Sequence, residues 1–167
     1  MISLRPITSS DESFLARVYA SSRAEELAIT GWSEEQKAAF CRSQFEAQRA
    51  YYAENYRDAC FQLIESDGWP AGRLYVARWE KEIRVVDITL LPEFRGNGTG
   101  TKLLCQLQDE ARRAGKPLTI HVERFNRALQ LYQRLGFQQV EDKGVYLLMK
   151  WEENPSGGRE AGKRKDP

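Results

Sequence analysis

The chain has 167 residues, the usual size of one domain, and 41% of them are hydrophobic, which is typical of globular rather than disordered proteins. Its 25 Lys and Arg residues nearly balance 24 Asp and Glu residues, and the net charge of +1 argues against a nucleic-acid-binding protein or a polybasic membrane anchor. No apolar run is long enough to span a bilayer and no secretory signal opens the sequence, so we expect a cytoplasmic protein with no nucleic-acid or membrane partner.

The rare side chains exclude several kinds of catalytic site. His121 is the one histidine, so the usual zinc ligand sets cannot be completed, and the three cysteines form no C-x-x-C pair. No G-x-S-x-G motif surrounds any serine. We therefore expect no metal site, and we expect His121 to be a buried structural residue of a strand.

The first half of the chain predicts a strand, two helices and a three-stranded meander. Apolar residues at helical spacing predict a helix over about residues 10–20, and the capping box Ser33-x-x-Gln36 opens a second helix that continues to about residue 54. Residues 21–32 show no clear pattern. The strands are predicted at 2–6, 60–64, 74–79 and 83–91, with turn residues at 67–72.

The second half predicts a helix, a short strand, another helix and a closing hairpin. The apolar strand at 118–122 follows a helix that ends at Gly115, so it is expected to run parallel to the strand at 83–91. Apolar side chains nearly vanish towards the C-terminus. We therefore predict one domain over residues 1–152 and a mobile polar tail over residues 153–167.

A glycine-rich turn joins the strand at 83–91 to the helix that follows it. Gly96, Gly98 and Gly100 leave backbone N–H groups unobstructed at the start of a helix, where the helix dipole favours an anion such as a diphosphate. Arg95 and Lys102 add positive charge nearby. The glycines could equally serve a tight bend, because an isolated glycine pattern is a weak signal.

A second motif follows the strand at 118–122, and together the two motifs favour a binding role for the glycine-rich turn. Arg95-x-x-Gly98-x-Gly100 preceded by Pro92, and then Asn126…Ala128…Leu131-Tyr132-x-x-Leu135-Gly136-Phe137, resemble the two signature motifs of the GNAT superfamily of acyl-CoA-dependent N-acetyltransferases. The order of the motifs and the spacing between them both fit. The resemblance is strong over residues 83–151 and rests on element order alone over residues 1–82.

The resemblance implies an α/β (α+β) fold: a mixed, strongly twisted sheet of six to seven strands with helices on both faces. The two central parallel strands, at 83–91 and 118–122, would splay apart, and the cosubstrate acetyl-CoA would lie in the gap. Its pantetheine arm would pair with the backbone around Ile88, Leu90 and Leu91. Its pyrophosphate would rest on the amides of Arg95, Gly96, Asn97, Gly98, Thr99, Gly100 and Thr101.

The resemblance also implies roles for two residues of the second motif. Asn126 would lie near the pantetheine or adenosine part of the cosubstrate, and the Tyr132 hydroxyl would point at the thioester sulfur. A phenol can protonate a leaving thiolate, and a strand amide near Leu90 can stabilise the oxyanion. The alternative for Tyr132 is core packing.

Two carboxylates, Asp87 and Glu123, are candidates for the general base. The polyamine-acetylating branch of the superfamily often carries an acidic pair where this chain has Val86-Asp87, so polyamine specificity has little support. Asp87 could equally be a structural carboxylate, and ordered water could replace a direct base.

The distribution of charge favours a cationic amine acceptor. Residues 1–67 carry 7 basic and 11 acidic side chains, whereas residues 93–136 carry 8 basic and 4 acidic ones. The acceptor could be a small molecule or a peptide, and the chain could form a homodimer. Aromatic candidates for the acceptor pocket, most of them expected in the core, are Trp32, Phe40, Phe45, Tyr51, Tyr52, Tyr56, Trp69 and Trp79.

Two other classes of protein fit parts of the pattern. Gly96-x-Gly98-x-Gly100 followed by Glu123 resembles a dinucleotide-binding fingerprint, but the third glycine comes one residue early and the turn is too long. The second alternative is a non-catalytic acyl-CoA sensor or interaction module of the GNAT fold. The presence of both Asn126 and Tyr132 argues against that alternative.

Overall fold

The computed structural model describes residues 1–154, which form a seven-stranded mixed sheet in the order β1-β2-β3-β4-β5-β7-β6. Within these residues β4 and β5 form the one parallel pair, as predicted. The predicted tail lies outside the described residues from position 155 onward. The strands are β1 Ile2–Pro6, β2 Cys60–Ser66, β3 Trp69–Arg78, β4 Ile83–Leu90, β5 Leu118–Glu123, β6 Gln138–Asp142 and β7 Tyr146–Trp151.

Four α-helices cover the sheet within the described residues: α1 Glu12–Ala28, α2 Glu34–Asn55, α3 Thr99–Ala114 and α4 Ala128–Arg134. Leu74 and Val76 of β3 pack with α3 and α4, whereas the alternate residues Arg73 and Tyr75 face a small pocket beneath α1 and α2, which is separate from the cavity of the candidate active site described below. Because side chains alternate along a strand, the helices lie on both faces of the sheet, as the resemblance implied. None of the helices within residues 1–154 combines the length and apolar character needed to cross a bilayer.

The main core lies between the sheet and α3. Its α3 side is the apolar stripe of Leu103, Leu104, Leu107 and Ala111, which recur at helical spacing and are all buried. Full burial of each leucine stabilises the fold by roughly 1.5–3 kcal/mol. The strand side contains Ile83 and Val85 of β4 with Leu118, Ile120 and Val122 of β5, so this core fixes the parallel pair.

Helix α1 is longer than its apolar pattern predicts. It continues to Ala28, although residues 21–28 show no amphipathic spacing. The reason is that Ser22, Arg23 and Glu26 line a polar cavity instead of the core. The predicted capping box of α2 is confirmed: the amide of Gln36 donates to Ser33 Oγ and the amide of Ser33 donates to Gln36 Oε1.

The turn predicted over residues 67–72 is wrong in extent. Only Asp67 and Gly68 adopt positive φ, at 48° and 82°, and β3 already begins at Trp69. Pro70 is tolerated in this central strand because the register with β2 shifts between Ile64 and Glu65, which is the kind of irregularity where proline occurs in sheets.

Strands β4 and β5 diverge towards their C-terminal ends. They pair only over residues 83–85 and 118–120, although both strands continue beyond these positions. In β4 the register with β3 shifts at Val86, because Tyr75 faces Asp87 whereas Val76 faces Val85. A bulge of this kind bends a strand and ends regular pairing. We call the resulting gap between β4 and β5 the splay; its presence was expected.

Candidate active site

The splay opens into a cavity of about 660 Å³. One side of the cavity comes from the diverging ends of β4 and β5, and the opposite wall comes from α1 and α2. The predicted site residues Asp87, Ile88, Glu123, Asn126 and Tyr132 all line it. A concave site of this size with convergent polar groups is the usual form of a small-molecule binding pocket.

The glycine-rich loop at residues 95–101 leads from β4 to the start of α3. Gly96 and Gly98 adopt φ of 79° and 78°, a conformation that residues with a Cβ rarely adopt, and open space surrounds both. No side chain caps α3, and the first helical amides, those of Thr99, Gly100 and Thr101, have no intrahelical acceptor. With the helix dipole behind them, these amides fit the phosphates of a nucleotide.

The backbone of β4 presents two residues to the splay. The amide of Leu91 donates to the Ala71 carbonyl at 2.9 Å, and hydrogen-bonded pairs alternate along an antiparallel ladder. Ile88 and Leu90 therefore direct their backbone polar groups away from β3, into the splay. Leu91 is the third residue predicted to contact the pantetheine arm. Its amide donates to β3 instead, and its side chain is buried.

Arg95 is anchored at the floor of the splay. Its Nε donates to the Leu90 carbonyl at 2.9 Å, which fixes the glycine-rich loop against the end of β4. The Leu90 amide keeps no partner from β3 and points to the same side as that carbonyl. This arrangement places one backbone donor next to the guanidinium.

Tyr132 lies on α4 with its ring buried against Phe137, the two ring centroids being 5.8 Å apart. Within residues 1–154 no group makes a hydrogen bond with its hydroxyl, which belongs to the cavity lining. Burial, and then the negative charge of Asp87, raise the pKa of Tyr132 above its ordinary value near 10. The hydroxyl is therefore protonated at neutral pH and can act as a donor.

Asn126 helps to start α4. Its Oδ1 accepts a hydrogen bond from the Ala128 amide at 2.9 Å, and its own amide donates to the Glu123 carbonyl at 2.9 Å. The end of β5 and the start of α4 are thus tied together by one exposed residue at the edge of the cavity.

Asp87 is held in a network of side chains. Arg73 donates to its two carboxylate oxygens at 3.2 and 2.9 Å, Tyr52 donates at 2.9 Å, and Thr89 donates at 2.7 Å. The side chains of Arg73 and Asp87 are only 3% and 9% exposed. Sequence reasoning missed Arg73, although an arginine within a buried apolar strand indicates an internal partner.

Glu123 is exposed at the end of β5, and no described cation pairs with it within 4 Å. It lies opposite Tyr146 of β7 in the sheet register. Burial, and then the charge of Glu123, raise the pKa of the Tyr146 hydroxyl. The two candidate bases therefore differ: Asp87 is buried and saturated with hydrogen bonds, whereas Glu123 has its carboxylate available.

His121 also lines the cavity, but as part of a different network. Arg84 donates from Nη1 to its Nδ1 at 3.2 Å, since a guanidinium can only donate. Burial, and then the positive charge of Arg84, lower the pKa of His121. A neutral ring whose Nδ1 accepts must carry its proton on Nε2, so His121 is unsuited to act as a base.

The aromatic candidates separate into two groups. Tyr51, Tyr52 and Tyr56 line the cavity, and Tyr19 and Tyr146, which sequence reasoning did not single out, join them. Phe45 lies in the core between α1 and α2. The candidates that do not line the cavity are Trp32, Phe40, Phe45, Trp69 and Trp79.

Comparison with known proteins places this geometry in a family. The model of the acetyltransferase (GNAT) family matches residues 23–137. A search of curated proteins found no significant match. Among solved structures, the PaiA N-acetyltransferase of Thermoplasma acidophilum in complex with coenzyme A is similar, with 19% identity, a TM-score of 0.69, and coverage of 92% of this chain and 99% of that one.

Two further solved structures share the fold at low identity. A GNAT family acetyltransferase from Elizabethkingia anophelis with acetyl-CoA bound is 15% identical, with a TM-score of 0.58 and coverage of 91% of this chain and 98% of that one. The ribosomal-protein-S18-alanine N-acetyltransferase of Escherichia coli is 17% identical, with a TM-score of 0.61 and coverage of 90% of this chain and 92% of that one. From the family model, which spans more than half of the sequence, and from the shared fold, it follows that this chain belongs to the acetyltransferase (GNAT) family.

Proposed function

We propose that this protein transfers the acetyl group of acetyl-CoA to a primary amine by direct attack in a ternary complex. The observation that carries the proposal is the splay, which joins the loop at residues 95–101 to a cavity containing Tyr132. Two of the similar structures hold coenzyme A or acetyl-CoA, which supports this choice of cosubstrate. We assign the catalytic domain to residues 1–152.

The cosubstrate supplies its acetyl group as a reactive thioester, and this chain supplies the binding groups. The amides of residues 95–101 fit the pyrophosphate, because they are unpaired at the start of α3 and lie in open space at Gly96 and Gly98. The backbone groups of Ile88 fit an amide of the pantetheine arm, because they face the splay. The Leu90 carbonyl already accepts from Arg95, so the Leu90 amide is left for the thioester. Asn126 borders the same gap.

Acetyl transfer requires a free amine, a stabilised oxyanion and protonation of the leaving thiolate. The amine nitrogen forms a bond to the acetyl carbon, the carbon–sulfur bond breaks, and the products are the amide and the free thiol. The Leu90 amide donates to the developing oxyanion. Tyr132 donates its hydroxyl hydrogen to the leaving sulfur and regains a proton that the amine has lost.

Glu123 is the better candidate for the base that removes the first proton from the incoming ammonium group and so produces the free amine. The second proton, lost from the nitrogen after attack, is the one that restores Tyr132. Its carboxylate is exposed and has no ion-pair partner among the described residues, so it can accept a proton and pass it to solvent. Protonating Asp87 would weaken its bonds to Arg73, Tyr52 and Thr89. We therefore assign Asp87 a positioning role: it ties Tyr52 of α2 to Arg73 of β3 in the wall of the cavity.

The decisive test compares Tyr132→Phe with wild type. We expect turnover, measured by thiol release with a panel of amines, to fall about a hundredfold, which is typical for loss of a general acid. The affinity for acetyl-CoA, measured by calorimetry, should change less than about twofold, because the ring and its packing remain. Tyr75→Phe is the matched control, since Tyr75 is an equally buried tyrosine that does not line the cavity.

Two outcomes would contradict the proposal. Turnover of Tyr132→Phe equal to that of wild type would remove Tyr132 from the mechanism. Tight binding of acetyl-CoA by wild type with no acetylation of any amine would instead favour a non-catalytic sensor of acyl-CoA.

A further inference from the structure

Exposed apolar side chains from four segments of the chain either line the cavity or lie close along the chain to residues that line it. Tyr51 of α2 and Tyr146 of β7 line the cavity and are exposed. Phe125, which is 95% exposed, lies between the lining residues Glu123 and Asn126. We call the full set the rim; its members are Ile29, Tyr51, Phe125, Val145 and Tyr146.

The other two members of the rim lie close along the chain to residues that line the cavity, Val145 next to Tyr146 and Ile29 three residues after Glu26. The amide of Arg124 donates to the Val145 carbonyl at 3.0 Å, which places Val145 beside the turn that carries Phe125. Ile29 follows α1 by one residue, one turn beyond the lining residue Glu26. Exposed apolar residues that cluster around a pocket mark a binding surface, whereas isolated ones need no explanation.

One carboxylate that lines the cavity has no cationic partner among the described residues. Arg23 forms an ion pair with Glu26, and Arg73 forms one with Asp87. Lys143 lies 3.9 Å from Glu141. Of the carboxylates that line the cavity within residues 1–154, only Glu123 lacks a cationic partner. A polyamine with two or three positive charges would leave charges unmatched there, and desolvating an unmatched charge is costly.

We propose that the acceptor is the N-terminal amine of a polypeptide whose first side chains are apolar. Its single ammonium group is attracted to Glu123, and its leading side chains pack on the rim. A small amine that fits within 660 Å³ would not reach side chains that point outward, such as Phe125 and Ile29, which are 95% and 88% exposed. A chain that continues out of the cavity reaches them. This inference rests on the proposed acetyl transfer and deepens it.

The first experiment is an acceptor panel for the wild-type protein with acetyl-CoA and thiol release as the readout. It compares an octapeptide beginning Leu-Phe, the same octapeptide beginning Asp-Ser, an Nα-blocked copy, spermidine and phenethylamine, with no lysine in any peptide. We expect kcat/KM for the Leu-Phe peptide to exceed that of each other compound at least about tenfold, the factor that roughly 1.4 kcal/mol of added contact supplies. The blocked peptide should not react.

The second experiment tests the rim with Phe125→Ser and Val145→Ser. Each should raise KM for the Leu-Phe peptide about three- to tenfold with kcat unchanged, because an exposed apolar contact is lost and no reacting group is altered. Val140→Ser is the matched control: Val140 is 51% exposed, against 68% for Val145, but it lies on the edge strand β6 and neither of its chain neighbours lines the cavity, whereas Val145 directly precedes the lining residue Tyr146. This control should leave KM unchanged.

The possible failures are distinct. Preference for spermidine or phenethylamine over the Leu-Phe peptide would overturn the polypeptide acceptor while acetyl transfer stands. Rim variants that match Val140→Ser in KM would overturn the role of the rim. No acetylation of any compound would overturn the proposed function itself.

Discussion

Replacing Asp87 with asparagine removes one half of a buried ion pair while keeping the size of the side chain. Arg73 would remain charged, with its side chain only 3% exposed and its two bonds to the carboxylate replaced by contacts with a neutral amide. Gln48 Oε1 accepts from the same guanidinium at 2.8 Å, but it carries no charge. The variant therefore tests whether Asp87 is required for stability.

The expected cost is about 3–5 kcal/mol of unfolding free energy, the range for losing one partner of a buried salt bridge. In a chain of 167 residues each 1 kcal/mol lowers Tm by about 2–4 °C, so the midpoint should fall by roughly 6–20 °C. Urea unfolding followed by circular dichroism measures the free energy directly. Asp109→Asn is the control, because its partner Arg112 is on the surface and the pair contributes no more than about 1 kcal/mol.

Arg73→Gln combined with Asp87→Asn should recover part of the loss, since the unpaired cation is then absent. An unfolding free energy of Asp87→Asn within about 1 kcal/mol of wild type would show that the ion pair contributes as little to stability as an exposed one. If that stable variant also lost turnover about a thousandfold, Asp87 rather than Glu123 would be the base.

Three further predictions follow from the geometry. Gly98→Asp should weaken acetyl-CoA binding at least about tenfold in calorimetry, because a carboxylate would face the phosphates. The control Gly68→Asp, at a similar φ in the β2–β3 turn, should leave the affinity unchanged. Equal affinities of the two variants would place the phosphates elsewhere. Gly72→Ala should unfold at much lower urea concentration, since a Cβ there would lie 2.1 Å from the Thr89 carbonyl oxygen; an unchanged midpoint would contradict that spacing. Because burial and Arg84 lower the pKa of His121, the unfolded chain binds the proton first, and stability should fall as pH drops below about 6.5. His121→Gln should remove this part of the fall in urea titrations from pH 7.5 to 5, and an unchanged slope would refute the assignment.

Local chemistry was sufficient to predict most of the elements around the glycine-rich loop. Gly96 and Gly98 adopt the left-handed φ that only glycine takes readily, so the glycines themselves predict the loop before α3. The stripe on α3 and the cap of α2 depend on residues at most a few positions apart. The parallel pairing of β4 with β5 followed from the helix between them.

Features that join distant segments could not be predicted in this way. The partner of Asp87 is Arg73, which lies on the neighbouring strand. The bulge at Val86 decides that Ile88 and Leu90, rather than Leu91, turn their backbone groups to the splay. The second half of α1 lacks an apolar pattern because its lining side chains face a polar cavity instead of the core.

The family, the order of the elements and the glycine-rich loop were predictable from the residues alone, because they depend on short-range spacing and on the backbone conformations that individual residues permit. Which carboxylate has no cationic partner depends on the packing of distant segments. Asp87 is neutralised by an arginine from β3, whereas Glu123 reaches the cavity with no cationic partner among the described residues. Such pairings depend on how strands and helices meet in space, and the spacing of residues along one segment does not encode them.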